Sequence, residues 1–138
     1  MIVKPYSSQN MDDVIDLWNR CNLLRSWNDP KKDIKRKIKV NPELFLLGFI
    51  DNRLIATVVG GYDGHRGWIN YLAVDPAYKQ RGFGKQIMEA VEEKIGALGC
   101  PKINIQVRAD NKDTLKFYES IGYKIDKVVS IGKRLEED

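Results

Sequence analysis

Histidine is almost missing from this sequence, which has only His65, and cysteine is scarce, with Cys21 and Cys100 alone. That scarcity removes whole classes of chemistry. No Cys/His spacing suits a metal site, and two cysteines make no disulfide framework. A cysteine nucleophile would have a single histidine to activate it, so both thiols read as buried or incidental. There is no run of 18 apolar residues and no charged-then-apolar leader, which argues against a membrane span or a secretory signal; a cytoplasmic protein is expected. No linker, repeat or low-complexity segment interrupts the chain, so residues 1–138 are expected to form one domain. The 43% hydrophobic and 30% charged residues are ordinary for a globular protein. The net charge of +4 suits a phosphate-rich small ligand without demanding nucleic acid.

What is there centres on Trp68 to Leu98. Trp68 to Val74 is β-branched, aromatic or aliphatic at most positions and is stopped by Asp75-Pro76, as a strand would be. Ile87, Met88, Val91, Ile95 and Leu98 then recur at helical spacing up to the stop at Gly99 and Pro101. Between them lies a basic loop with Gly82 and Gly84, and with Lys79, Arg81 and Lys85. A helix N-terminus with unpaired amides, approached through glycines, is suited to a phosphate group. Two nucleotide motifs fail on spacing. Read as a P-loop, the segment has Lys79 where the first glycine belongs and Gln86 where the hydroxyl belongs. Read as a dinucleotide fingerprint, it has Ile87 at the third glycine.

The remaining elements follow from periodicity and punctuation. Ile2–Tyr6 is a short strand, and Asn10 is expected to cap a helix whose face carries Met11, Val14, Trp18 and Cys21. Asp29-Pro30 starts a second, lysine-rich helix, read as a solvated face because no aromatics interleave with its charges. Leu44–Ile50 and Arg53–Tyr62 are strands joined by a two-residue turn at Asp51-Asn52, and Gly60-Gly61 suggests a bulge or a close backbone approach. Lys102–Arg108 alternates as a strand, Asn111 caps a helix stopped by Gly122, and Tyr123–Lys133 is expected to be a final strand.

Leu72-Ala73-Val74-Asp75-Pro76 followed by Lys79-Gln80-Arg81-Gly82-Phe83-Gly84 resembles the acyl-CoA signature of the GNAT acyltransferase superfamily, with Lys79 in place of the usual Gln or Arg. Asn111, Phe117-Tyr118 and Gly122-Tyr123 resemble a second signature of that family, with Thr114 for its usual alanine. The order β-α-α-β-β-β-α-β-α-β extends the resemblance over nearly the whole chain, as a small single-domain bacterial-type member. The implied fold is α+β, three-layered: a mixed, mostly antiparallel sheet splayed between its central strands and flanked by helices.

The resemblance implies an N-acetyltransferase that uses acetyl-CoA as co-substrate, and no metal, on a primary amine of a small molecule or amino acid. The implied cofactor contacts are Leu72, Ala73 and Val74 on the strand, Lys79, Gln80, Arg81, Gly82, Phe83, Gly84 and Lys85 in the loop, and Asn111, Phe117 and Tyr118 beyond it. Tyr118 resembles the family tyrosine that gives the CoA thiolate its proton. The base is left open among Asp63, His65 and Tyr71, with Asp29 as an outsider and water as the other route. Arg25, Trp27 and Asn28, opposite Tyr62, Asp63 and Arg66, with Tyr71, are candidates for the acceptor pocket, although Trp27 reads more simply as a core anchor. A protein or peptide N-terminal or lysine acetyltransferase, and a non-catalytic acyl-CoA-binding regulatory module, are the alternatives. No membrane or nucleic-acid partner is expected, and a homodimer is left open.

Overall fold

The computed structural model describes residues 1–138. Strand β3 (Arg53–Tyr62) lies in the middle of a five-stranded sheet, and its residues from Leu54 to Val59 are all buried. A strand covered on both faces needs no polar alternation, hence a run that is apolar but for Thr57. Its neighbours are β2 (Phe45–Ile50) and β4 (Gly67–Val74), with β1 (Ile2–Pro5) and β5 (Ile103–Ile105) at the edges. All pairings are antiparallel except that of β4 with β5. Asp51 and Asn52 both take positive φ, 49° and 63°, which a tight hairpin turn requires.

Two apolar layers sandwich the sheet. On one face α1 (Met11–Arg20) and α2 (Pro30–Lys37) pack Val14, Leu17, Trp18 and Ile34 against Phe45, Leu47, Val59 and Ala73. On the other, α3 (Phe83–Ala97) and α4 (Lys112–Ser120) set Ile87, Met88, Val91, Ile95 and Tyr118 against Leu46, Ile55, Val58 and Ile69. Gly60 permits the close approach its sequence suggested: a Cβ there would come within 2.7 Å of Val91. The expected helix signals hold at two starts. Asp29 accepts from the Lys31 and Lys32 amides ahead of α2, and Asn111 from the Thr114 amide ahead of α4.

Three expectations are corrected. Asn10 stands at the N-cap position of α1 but its side chain does not cap the helix; its Oδ1 accepts instead from the Ser7 amide and hydroxyl, closing a short 3₁₀ turn before it. The fifth strand is three residues long, not seven, because it is registered with β4 only from Ile103 to Ile105. No strand forms at Tyr123–Lys133. After Gly122 (φ 102°) the chain runs beside β5 tied by side chains, Asp126 to Lys102 and Asn104, and Ser130 to Gln106. Val129 and Ile131 stay 87% and 91% exposed, so the apolar pattern that suggested a strand has no core to bury against.

Asp75 closes β4. It is 2% exposed, caps the turn at Pro76–Tyr78 through the Ala77 amide, and pairs with Arg20 of α1 at 2.8 Å and Arg53 of β3 at 3.5 Å. Burial alone would raise its pKa, but the Ala77 N–H and the Arg20 guanidinium outweigh it and hold the carboxyl below its usual range. A folded-state pKa below the unfolded one contributes stability above about pH 4, lost as pH falls through the folded value. Asp75→Asn should therefore lower the Tm at pH 7 and flatten its decline between pH 6 and pH 3. Parallel acid profiles for the two proteins would show that Asp75 carries none of this linkage.

Candidate functional site

The site grows from an irregularity in β4. Thr57 pairs with Ala73 and Val59 with Asn70, so two residues, Tyr71 and Leu72, face one on β3. Tyr71 takes φ 50°, unusual for an aromatic residue, and the surroundings hold it there. Its ring stacks on Trp18 with centroids 3.8 Å apart. Fully buried Thr57 accepts from the Trp18 indole at 2.9 Å and donates to the Tyr71 carbonyl at 2.8 Å. Thr57→Val would leave both partners unsatisfied in the interior, a cost of about 2–3 kcal/mol. Chemical denaturation followed by tryptophan emission should report it, and an unchanged midpoint would mean that the bulge holds without this bridge.

On the other side of β4 the pairing with β5 stops at Ile69 and Ile105. From Asn70 to Val74 no strand pairs along that edge; the Tyr71 and Val74 carbonyls are taken by Thr57 and the Cys21 thiol, and the other backbone groups on that edge are left for an extended ligand to pair with. Leu72 and Val74 lie on the α3/α4 side and Ala73 on the α1/α2 side. The sheet therefore opens between β4 and β5, the strand pair implied by the resemblance, although β5 is an edge strand here and not a central one.

At the end of this open edge is the glycine loop. Gln80 and Gly82 have φ 60° and 84°, and Gly82 is the residue immediately ahead of α3, with no side chain capping the helix. The first helical bond runs from the Gln86 amide to the Gly82 carbonyl, so the amides of Phe83, Gly84 and Lys85 have no helical acceptor. Gly84 is bare for a different reason. A Cβ there would sit 3.1 Å from the Phe117 ring, and Val74 is also alongside. The two sequence signatures, far apart in the chain, thus meet at Gly84 and Phe117. The Arg81 guanidinium lies over the rings of Tyr78 and Phe83 at 5.3 and 5.5 Å, oriented by aromatic faces without a carboxylate to neutralise it. Lys85 is exposed and 4.0 Å from Glu89, an ion pair of little strength. Uncapped amides, unneutralised guanidinium and close-approach glycines fit a pyrophosphate.

Next to Phe117 on α4, Tyr118 is 5% exposed, edge-on to Phe117 and Tyr123 at 5.3 and 5.7 Å. Burial alone pushes its phenol well above the ordinary value; no charge or hydrogen bond contributes. It keeps its proton at neutral pH and is free to donate it.

The other named residues are dispersed. Asp63 accepts from the amides of Arg66 at 2.7 Å and His65 at 2.8 Å and from the Trp68 indole at 3.1 Å. These three donors, the Arg66 amide foremost, hold its carboxyl at about 2, so it organises the turn and is a poor proton acceptor. His65 is exposed in the same turn, and Tyr62 donates to the Gly64 carbonyl nearby. Arg25 is folded back on its own loop, donating to the carbonyls of Asn22 and Leu24. Trp27 is no core anchor: it is 47% exposed, with the Arg108 guanidinium 5.6 Å from its ring, because its loop bridges two helices outside the sheet. Asn28 accepts from Arg134. Sequence reasoning missed Thr57 and Asp33. The latter accepts from the Tyr71 hydroxyl at 2.6 Å, across 38 residues of chain, and nothing in its local sequence signals that contact.

Comparison with known proteins agrees with this geometry. Residues 11–123 match the model of the acetyltransferase (GNAT) family. An acetyltransferase of Sodalis glossinidius is 44% identical over 139 residues, spanning 100% of this chain and 98% of that relative. An acetyltransferase of Yersinia pestis is 44% identical over 138 residues with the same coverage. Among solved structures, the aminoglycoside 6′-N-acetyltransferase of Acinetobacter haemolyticus superposes with a TM-score of 0.77 at 21% identity, covering 99% of this chain and 100% of that one. The ribosomal-protein-S18-alanine N-acetyltransferase of Escherichia coli does so with a TM-score of 0.73 at 17% identity, over 88% and 76%. At those identities the structural likeness speaks for the fold.

Proposed function

Since the chain belongs to the GNAT acetyltransferase family, we propose that it moves an acetyl group from acetyl-CoA to a primary amine, by direct attack in a ternary complex. The observation that carries this reading is the open edge of β4 from Asn70 to Val74, leading directly to the uncapped amides of Phe83, Gly84 and Lys85. An extended pantetheine arm can pair with the first, and the pyrophosphate can be bound by the second, with Arg81 adding charge.

The chemistry asks three things of the chain. The thioester carbonyl needs a donor as negative charge develops on it; a backbone amide at the bulge, at Leu72, meets that need. The departing thiolate needs a donor too, and Tyr118 has an uncommitted one. A thiol has an ordinary pKa of about 8.5, below that of a buried phenol, so Tyr118 stabilises the thiolate by a hydrogen bond more than by complete proton transfer. The acceptor amine must shed a proton, and with Asp63 committed to its turn, that proton leaves through water or through the Tyr71 side of the bulge.

Calorimetric titration with acetyl-CoA, with ATP and NAD as controls, tests the first half of this reading. Selective micromolar binding supports it. Thiol release in the presence of primary amines tests the second half. A folded protein that binds no acetyl-CoA would make the glycine loop an ordinary turn and end the enzymatic reading.

A further inference from the structure

A carboxylate stands at the rim of the buried stripe of α3. Met88, Val91 and Ile95 are fully buried, and Glu92 follows Met88 by four residues and precedes Ile95 by three, itself half-buried. Within the chain its carboxylate bonds to one group, the Tyr123 hydroxyl, which donates to Oε2 at 2.5 Å. Tyr123 is fixed at two further points. Its amide donates to the Tyr118 carbonyl at 3.0 Å, just after Gly122 turns the chain, and its ring stands edge-on to the Tyr118 ring. Burial first, and the bond to Glu92 second, raise the Tyr123 phenol well above its usual range, so it remains the donor of this bond. Tyr118 has no such anchor. Its hydroxyl makes no hydrogen bond, so the ring is placed by its neighbours alone. On one side is Phe117, packed against Gly84 at the glycine loop; on the other is Tyr123, held by Glu92.

We propose that Glu92 is a positioning residue for the departure of the thiolate, holding the Tyr118 ring in place through the Tyr123 hydroxyl. This rests on the acetyltransferase reading, with Tyr118 as the donor to sulfur, and adds the residue that places that donor. As the C–S bond breaks, the electron pair leaves on sulfur and the Tyr118 hydroxyl donates a hydrogen bond to it; Glu92 touches neither. Helix α3 then serves both ends of the co-substrate. Its first turn offers amides to the pyrophosphate, and Glu92, about 12 Å further along the axis, fixes the donor for the thiolate. A carboxylate beside an apolar stripe costs desolvation free energy, and leucine would suit that position better for packing alone. Stability and turnover should therefore respond differently when Glu92 is replaced.

The test follows thiol release from acetyl-CoA by the full chain, with benzylamine as acceptor and with water alone, beside calorimetry for acetyl-CoA. Glu92→Leu and Tyr123→Phe should each slow release about 10-fold, with acetyl-CoA affinity within about twofold and Tm within about 4 °C of wild type. Glu92→Gln keeps an oxygen acceptor for the Tyr123 hydroxyl and should stay within about threefold. In a Tyr118→Phe background neither Glu92→Leu nor Tyr123→Phe should slow release further, because the group they place is gone. Losses that multiply in that background would overturn the assignment, as would wild-type rates in Glu92→Leu. A second readout needs no turnover and decides the question where release is too slow to follow. In protein labelled with 3-fluorotyrosine, the Tyr118 fluorine resonance is identified among six tyrosines by its loss in Tyr118→Phe. It should shift or broaden in Glu92→Leu and keep its place in Glu92→Gln; an unmoved line in Glu92→Leu overturns the assignment. Failure of the wild type to bind acetyl-CoA would remove the acetyltransferase reading first, and the titration without any variant tells that apart.

Discussion

Gly82→Asp should weaken acetyl-CoA binding by at least about 100-fold, close to 3 kcal/mol, in a protein that still folds. Two features make this position the clean test of the cradle. Gly82 sits at φ 84°, and a Cβ built there meets nothing within 4 Å, so the substitution is opposed by backbone conformation and not by packing. That conformational cost is about 1–2 kcal/mol for most residues and lower for Asp and Asn, which visit the left-handed region more readily. The open space beside the Gly82 Cα, ahead of the unpaired amides of α3, is where the phosphates are proposed to lie; a carboxylate there replaces attraction by repulsion. Gly82→Asn, of nearly the same shape, separates charge from volume and should lose much less. Gly84 is the poorer probe, because its substitution pushes on Phe117 and confounds binding with packing. Wild-type affinity in a folded Gly82→Asp protein would mean that the phosphates bind elsewhere.

Tyr118→Phe should lower kcat about 100-fold while leaving acetyl-CoA affinity within about twofold, the pattern of an interaction made only as the thiolate leaves. Stability should barely change, since no hydrogen bond or charge contributes to the state of this phenol and the ring contacts with Phe117 and Tyr123 persist. Because burial raises the phenol's pKa, it stays protonated throughout the usual assay range. No alkaline loss of kcat should therefore be assignable to Tyr118, and the wild-type and Phe profiles should run parallel up to about pH 10. Equal kcat values would reduce Tyr118 to a packing residue and leave the thiolate to solvent.

How much of this was legible beforehand differs by the kind of signal. Segments whose partners lie within a few residues could be read directly. The Asp51-Asn52 turn, the Asp29-Pro30 helix start, the Gly122 stop and the apolar stripe of α3 all follow from local backbone preference and periodicity. The glycine loop was legible for the same reason, since a residue with positive φ ahead of α3 favours glycine at position 82. The final strand was misread because a strand is stabilised by what covers it, and Ile125 to Ile131 have the composition without the cover.

What the sequence alone determined, then, is the glycine loop and its helix, the apolar strands and the family they resemble, all matters of short-range geometry. The rest was decided by contacts between residues distant in the chain. Tyr71 departs from regular strand geometry where Trp18 stacks on it and Thr57 binds its carbonyl. Gly84 meets Phe117, and Asp33 meets Tyr71, only once two helices are laid on opposite faces of the sheet. No local preference encodes such meetings. They depend on register and layer packing, which exist only in the folded chain.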